Sequence, residues 1–274
     1  MFQDLLDKRF NINFLDNSNC YAFEIQDFLD DQQYEQLNQN IPDFKKNQAE
    51  NLNDKFYDNT NQHQLKVYIN ELNKDNYNHF ITKNPILNEL SQIFKNPRMN
   101  NFFLKKLYPQ ILKSRFYDPR NFIKLMLRRN RTVEKKSNSI LEKFLYNDIY
   151  TTFEIAYMFN GSQSFPHTDG MKKILSLLLY FPDENIPNDQ INKLGTSFYD
   201  SKEFNLTGQG KNKVTSFEDS EKFKKRNKIS GTFPFKKKNL YGFIKSHKSW
   251  HSVEPFFINE NFVRKNININ ILLV

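Results

Sequence analysis

His167 and Asp169 stand two residues apart in Phe165-Pro166-His167-Thr168-Asp169-Gly170, and a second imidazole, His251, follows much later in Trp250-His251-Ser252-Val253-Glu254-Pro255. Two imidazoles and one carboxylate are the set that holds a ferrous ion on one face and leaves its other positions open. Three protein ligands cannot saturate an iron that prefers six, so a co-substrate and dioxygen can bind side by side. Such a geometry permits oxidation at carbon. His247 is the rival for the second imidazole position, although the Val-x-Pro tail behind His251 favours His251. His63 and His79 lack any such setting and read as surface or packing residues.

The elements that must position these groups can be read from periodicity. In an extended segment, residues two apart project to the same side, so His167 and Asp169 can converge from one strand end while Thr168 points away. The third ligand must come from a neighbouring strand, and Leu240-Tyr241-Gly242-Phe243-Ile244 reads as a strand entering a turn ahead of His251. The clearest strand is terminal. Asn266-Ile267-Asn268-Ile269-Asn270-Ile271 alternates with period two, which puts its isoleucines on a core face and its asparagines on the other.

Upstream, from about Asp27 to Arg131, the pattern is largely helical. Gln32 to Asn38 follows Asp30 and Asp31, either of which can cap it, and Pro42 ends it. Pro85 suits a first helical turn ahead of Ile86, Leu87, Leu90, Ile93 and Phe94, and a further helix is expected over Arg120 to Leu127. These faces should buttress a sheet. From about Tyr150 onward, short β-branched and aromatic segments alternate with Gly, Pro and Asn, which implies an antiparallel two-sheet barrel or jelly roll. The expected fold class is therefore α+β. The charged, glycine-bearing stretch from Ser201 to Lys228 reads as a long insertion, either a substrate lid or a surface loop.

Composition sets limits. The 274 residues suit one catalytic domain, with a mainly helical part over 1–149 and a jelly-roll core over 150–274. The single Cys20 excludes an internal disulfide, and no charged-then-apolar leader opens at Met1, so a cytoplasmic setting is expected. The longest apolar run, around Ile174 to Phe181, is strand length, so no membrane partner is expected. The 40 Lys and Arg exceed the 31 Asp and Glu by nine, with runs such as Lys222-Phe223-Lys224-Lys225-Arg226 and Lys236-Lys237-Lys238. Because Lys and Asn pervade the whole chain, a solvated basic face is preferred to a nucleic-acid footprint. A zinc hydrolase is disfavoured, since no separate Glu stands near His167 to serve as a base.

Five blocks in order carry a resemblance: Tyr157-Met158-Phe159-Asn160-Gly161 leading into the His-x-Asp, Lys173 to Phe181, Gly195-Thr196-Ser197-Phe198, Trp250-His251-Ser252-Val253, and the strand from Arg264 to Val274. With these blocks the chain resembles the Fe(II)/2-oxoglutarate-dependent dioxygenases, in particular their prolyl 4-hydroxylase-like branch. The resemblance implies a double-stranded β-helix core with supporting N-terminal helices, and His167, Asp169 and His251 as iron ligands. It implies 2-oxoglutarate and dioxygen as co-substrates, with ascorbate as a further reductant. It also places a basic residue of the terminal strand on the distal carboxylate of 2-oxoglutarate. Arg264 is favoured over Lys265, because a planar guanidinium matches a carboxylate with two parallel hydrogen bonds, although Asn266 stands where the family has Ser. Tyr157, or alternatively Tyr180, is similar to the hydroxyl-bearing residue that completes this pocket.

The implied reaction is hydroxylation of an unactivated C–H bond with release of succinate and carbon dioxide. The metal ligands do not read the substrate. A protein side chain and a small molecule, such as an amino acid or a sugar-linked metabolite, both stay open. A non-catalytic jelly-roll binding module is the contrasting reading. Phe153, Phe159 and Trp250 are candidates for the cleft wall.

Overall fold

The structure is a computed structural model that describes residues 1–15, 20–43, 66–69, 74–116, 118–133, 139–170, 172–183, 186–201 and 214–273. His63 lies outside these residues, as does the part of the expected insertion over 202–213.

A single 3-10 turn, Gln3–Leu6, precedes β1 (Asn13–Phe14) and β2 (Ala22–Ile25). Helix α1 (Asp31–Asn40) follows, capped as its sequence predicts: the Asp30 carboxylate accepts from the Gln33 amide, and the Gln33 side chain accepts from the Asp30 amide. Then come β3 (Lys66–Ile69), α2 (Lys74–Thr82), α3 (Pro85–Lys95), α4 (Pro97–Lys106), α5 (Tyr108–Arg115), α6 (Pro119–Leu127), β4 (Arg129–Thr132) and α7 (Ile140–Leu145). Asn84 caps α3 through the Leu87 amide, and Pro85 takes the first turn, where its missing N–H costs nothing. The remaining elements are β5 (Tyr146–Phe159), β6 (Ser164–His167), β7 (Lys173–Phe181), β8 (Thr196–Asp200), α8 (Phe217–Arg226), β9 (Lys228–Phe233), β10 (Leu240–Ile244), β11 (His251–Val253) and β12 (Val263–Leu273).

Among the described residues the strands form two sheets, which makes the fold α+β. One runs β1-β2-β10-β7-β12-β5-β3, with β4 parallel to β5, and the other runs β6-β11-β8-β9. Between β5 and β12 the chain passes repeatedly from one sheet to the other. Gly161, at φ +82°, takes the first of these crossings, a backbone state that an L side chain rarely adopts. The part before residue 150 is not wholly helical: it supplies β1 to β4 and the first residues of β5 to the large sheet. The expected division at 149/150 is therefore crossed by hydrogen-bonded strands.

Alternation along β12 sorts the molecule into two faces. Ile267, Ile269 and Ile271 join Leu87, Leu90, Ile93 and Phe94 of α3 in the main apolar core, each 1% exposed or less. Burying each of these side chains stabilises the fold by about 2 kcal/mol. Asn266, Asn268 and Asn270 point the other way, into a cavity between the sheets. A second cluster, including Phe198, Phe233, Tyr241 and Phe243, packs the sheets against one another beside that cavity.

Part of the stretch read as an insertion is ordered helix. Helix α8 is capped by Ser216 and pinned by Phe223, whose ring lies 4.7 Å from Trp250 and 5.3 Å from Tyr199.

Candidate metal centre

Strand pairing brings the two imidazoles together. In the antiparallel β6–β11 ladder, His167 and His251 are direct partners, and their ring centroids lie 4.3 Å apart. Asp169 sits just past the end of β6. One ligand atom from each of His167, Asp169 and His251 falls within 4.8 Å of the others, and they form the one such group among the described residues. His247 is not part of it.

The ring tautomers are set for coordination. Nδ1 of His167 is 2.8 Å from Phe165 O, and Nδ1 of His251 is 2.9 Å from Ser249 O. A carbonyl only accepts, so each Nδ1 carries the proton and each Nε2 keeps its lone pair. Burial holds the His251 ring below its ordinary pKa, against the pull of Asp169, and so keeps it in the neutral ligand form. Burial alone would raise the Asp169 carboxyl; the charged Lys173 outweighs it and holds the group well below the usual carboxylate range. Asp169 is thus an anion. Lys173 Nζ donates to Oδ1 at 3.0 Å and Ser176 Oγ to Oδ2 at 3.1 Å, so both carboxylate oxygens are oriented. Two imidazoles and one carboxylate within this span, tied from behind by backbone carbonyls, fit a divalent metal with open positions.

The triad lines a cavity of about 350 Å³ together with Arg264. Arg264 is 2% exposed. Its Nε donates to Leu194 O at 2.5 Å and its Nη1 to Asn266 Oδ1 at 2.6 Å, while its guanidinium lies 5.1 Å from the Tyr180 ring centre and 5.4 Å from that of Phe235. Asn266 lines the cavity as well, and passes the contact on to Asn268 Oδ1 at 2.6 Å.

Tyr157 does not reach this cavity, contrary to expectation. Its hydroxyl donates to Pro42 O at 2.8 Å on the opposite face of the sheet. Register explains the difference: Met158 pairs with Arg264 and Tyr157 with Lys265, so the inward face of β5 carries Met158. Lys265 shares the outward face and reaches Asp43 at 3.2 Å. Of the two tyrosines, Tyr180 is the one beside Arg264. It is the ladder partner of Asn266, and its hydroxyl lies 2.7 Å from Thr196 Oγ1. Phe153 and Phe159 belong to the helix-facing core, and Trp250 packs on α8, so none of the three lines the cavity.

Sequence reading missed Lys173, Ser176 and the Asn268 and Asn270 walls. It also missed Glu154, which stands opposite Asn268 in the β5–β12 ladder and lines the same cavity. Once Arg264 is taken as inward, period two along β12 and its partner β5 names Asn268, Asn270 and Glu154, whereas Lys173 and Ser176 are brought there by the pairing of β7 with β12.

No protein-family model matches the chain, and no curated protein does. Solved structures that it is similar to include a prolyl 4-hydroxylase from Phytophthora capsici, at 14% identity and TM-score 0.45, over 99% of this chain and 62% of that one. Another is a Pseudomonas putida prolyl 4-hydroxylase, at 14% identity and TM-score 0.28, over 44% and 48% of the two chains. A third is the epimerase SnoN, solved with Fe3+, α-ketoglutarate and nogalamycin RO, at 9% identity and TM-score 0.39, over 94% and 79%. The match thus spans about half of the Pseudomonas enzyme and under two thirds of the Phytophthora one. Likenesses this distant leave the reading of the site to its own geometry.

Proposed function

We propose that the chain is a single catalytic domain over 1–274, an Fe(II)/2-oxoglutarate-dependent oxygenase that hydroxylates an unactivated C–H bond of a protein side chain. One observation carries this reading: His167, Asp169 and His251 converge with their metal-binding atoms presented, in a cavity that also holds a buried arginine. The strand order supports a double-stranded β-helix, since β5-β12-β7-β10 of one sheet faces β6-β11-β8-β9 of the other.

His167, Asp169 and His251 would hold the iron, and Arg264 would pair with the distal carboxylate of 2-oxoglutarate. An iron held there would supply oxidative decarboxylation of 2-oxoglutarate by dioxygen to succinate and carbon dioxide, coupled to hydroxylation of the substrate carbon. The chain orients and encloses. Phe165 O and Ser249 O fix the two rings, Ser176 and Lys173 fix the carboxylate, and the neighbouring rings of Tyr180 and Phe235 both pack against the guanidinium. Phe243 and Val253 keep part of the cavity wall apolar, which limits water around the metal.

The cavity volume favours a second reading, a small-molecule hydroxylase, since about 350 Å³ is enough for a metabolite-sized ligand. Anaerobic titration with Fe(II) and 2-oxoglutarate, watched for the visible charge-transfer band and followed by succinate release on admitting oxygen, tests the shared chemistry. His167→Ala and Asp169→Ala are expected to abolish both signals. Full succinate release from either variant would refute the assignment.

A further inference from the structure

A groove separate from the metal cavity is built from α5, α6 and the 246–248 loop. It encloses about 630 Å³ and is lined by Tyr21, Leu112, Phe116, Phe122, Met126 and His247. Its outer lip is apolar and in water: Phe116 is 67% exposed, Met126 52%, and Leu127, at the end of α6, 78%. Apolar side chains concentrated around one concavity mark a binding surface far better than the same side chains scattered singly. The rim is basic. Lys113 and Lys248, which line it, are exposed. The acid nearest in sequence, Asp118, lies 3.7 Å from the buried Arg115.

The groove adjoins the metal centre. One wall, Ser246 to Lys248, belongs to the segment that runs on to His251. On the other wall, Arg115 stands between Ser114 and Phe116 and donates to the backbone oxygen of Lys173, the residue paired with Asp169.

We infer that this groove docks an acidic segment of the protein substrate, seating one or two bulky apolar side chains between Phe116 and Met126 while Asp or Glu neighbours meet Lys113 and Lys248. The inference rests on the protein-hydroxylase reading and names the kind of sequence such a substrate presents. A second copy of this chain suits the groove poorly, because it would bring a like-charged rim against this one. A bilayer surface is flat and does not fill a concavity.

The test is fluorescence polarisation with short labelled peptides that pair Leu or Phe with Asp and Glu, beside versions in which Lys and Arg replace the acids. Acidic peptides are expected to bind, more weakly at high salt, and the basic versions are not. The double variant Phe116→Ser/Met126→Ser should weaken binding by roughly tenfold or more. Lys113→Glu/Lys248→Glu should do the same, with melting temperature, charge-transfer band and peptide-independent succinate release unchanged. Any rise in succinate release that a peptide causes must be lost in both variants. Equal binding of basic peptides, or binding that survives both variants, overturns the inference. So does a preference for phosphatidylglycerol vesicles, or dimerisation that the variants abolish. If the parent protein gives no charge-transfer band, the oxygenase reading fails by itself; acidic peptides lost with the variants would then keep the docking site and overturn its assignment to a substrate.

Discussion

Lys245 is 1% exposed and its ammonium donates to Ser246 O at 2.7 Å. Burial pushes its pKa from 10.5 down to about 7; Asp169 opposes the shift, while Arg115 and Lys173 reinforce it. The unfolded chain therefore keeps a proton between pH 7 and 10.5 that the folded chain has lost. Raising the pH through that window favours the folded state, and the penalty is fully present below the folded pKa. A shift of about 3.5 units at about 1.4 kcal/mol each amounts to roughly 5 kcal/mol. Lys245→Met removes this penalty and also one hydrogen bond worth about 1 kcal/mol, leaving a net gain of about 3–4 kcal/mol at pH 6. Urea unfolding of the metal-free protein at several pH values measures it: the variant's advantage should be largest near pH 6 and fade towards pH 10. A variant no more stable than the parent at pH 6, or an advantage that does not shrink with rising pH, would refute the reasoning.

Arg264→Lys is expected to raise the 2-oxoglutarate concentration for half-maximal succinate release by roughly tenfold or more, because an ammonium cannot make the paired contacts of a guanidinium. Tyr157→Phe should leave that concentration unchanged and cost about 1 kcal/mol in chemical denaturation, the value of its bond to Pro42 O. A change in co-substrate affinity would return Tyr157 to the site. Gly195→Ala should destabilise the protein by about 3 kcal/mol or prevent its folding, since the added carbon would lie 1.8 Å from Phe233 O, a backbone atom that cannot swing aside. Unchanged thermal stability would contradict the close approach of these two segments.

The candidate metal ligands were legible because their chemistry is carried by residue type and local spacing: His167-x-Asp169 is short, and His251 sits after a readable strand. The same holds for α1 and α3, whose Asp30 cap and Pro85 start are local signals. Tyr157 was misplaced because facing depends on register, and register is a relation between two strands, visible only when Met158 is seen opposite Arg264. Strands β1 to β4 were missed for a related reason. They are two to four residues long, too short for a period of two to declare itself, and they are fixed by pairing, β1 on β2, β2 on β10, and β3 and β4 on β5. Within the Ser201–Lys228 stretch, helix α8 was hidden by its charge; a single buried Phe223 anchors it where a longer apolar stripe was sought.

Strand β12 keeps structural and chemical duties on opposite sides of one ribbon. Its isoleucines lock the helical layer in place, whereas its asparagines furnish the chamber that holds the two imidazoles and the carboxylate. Exchanging an asparagine for another residue of similar bulk leaves the packing behind it untouched. What the chamber admits can therefore be altered from this ribbon with the isoleucine packing on its far side left in place.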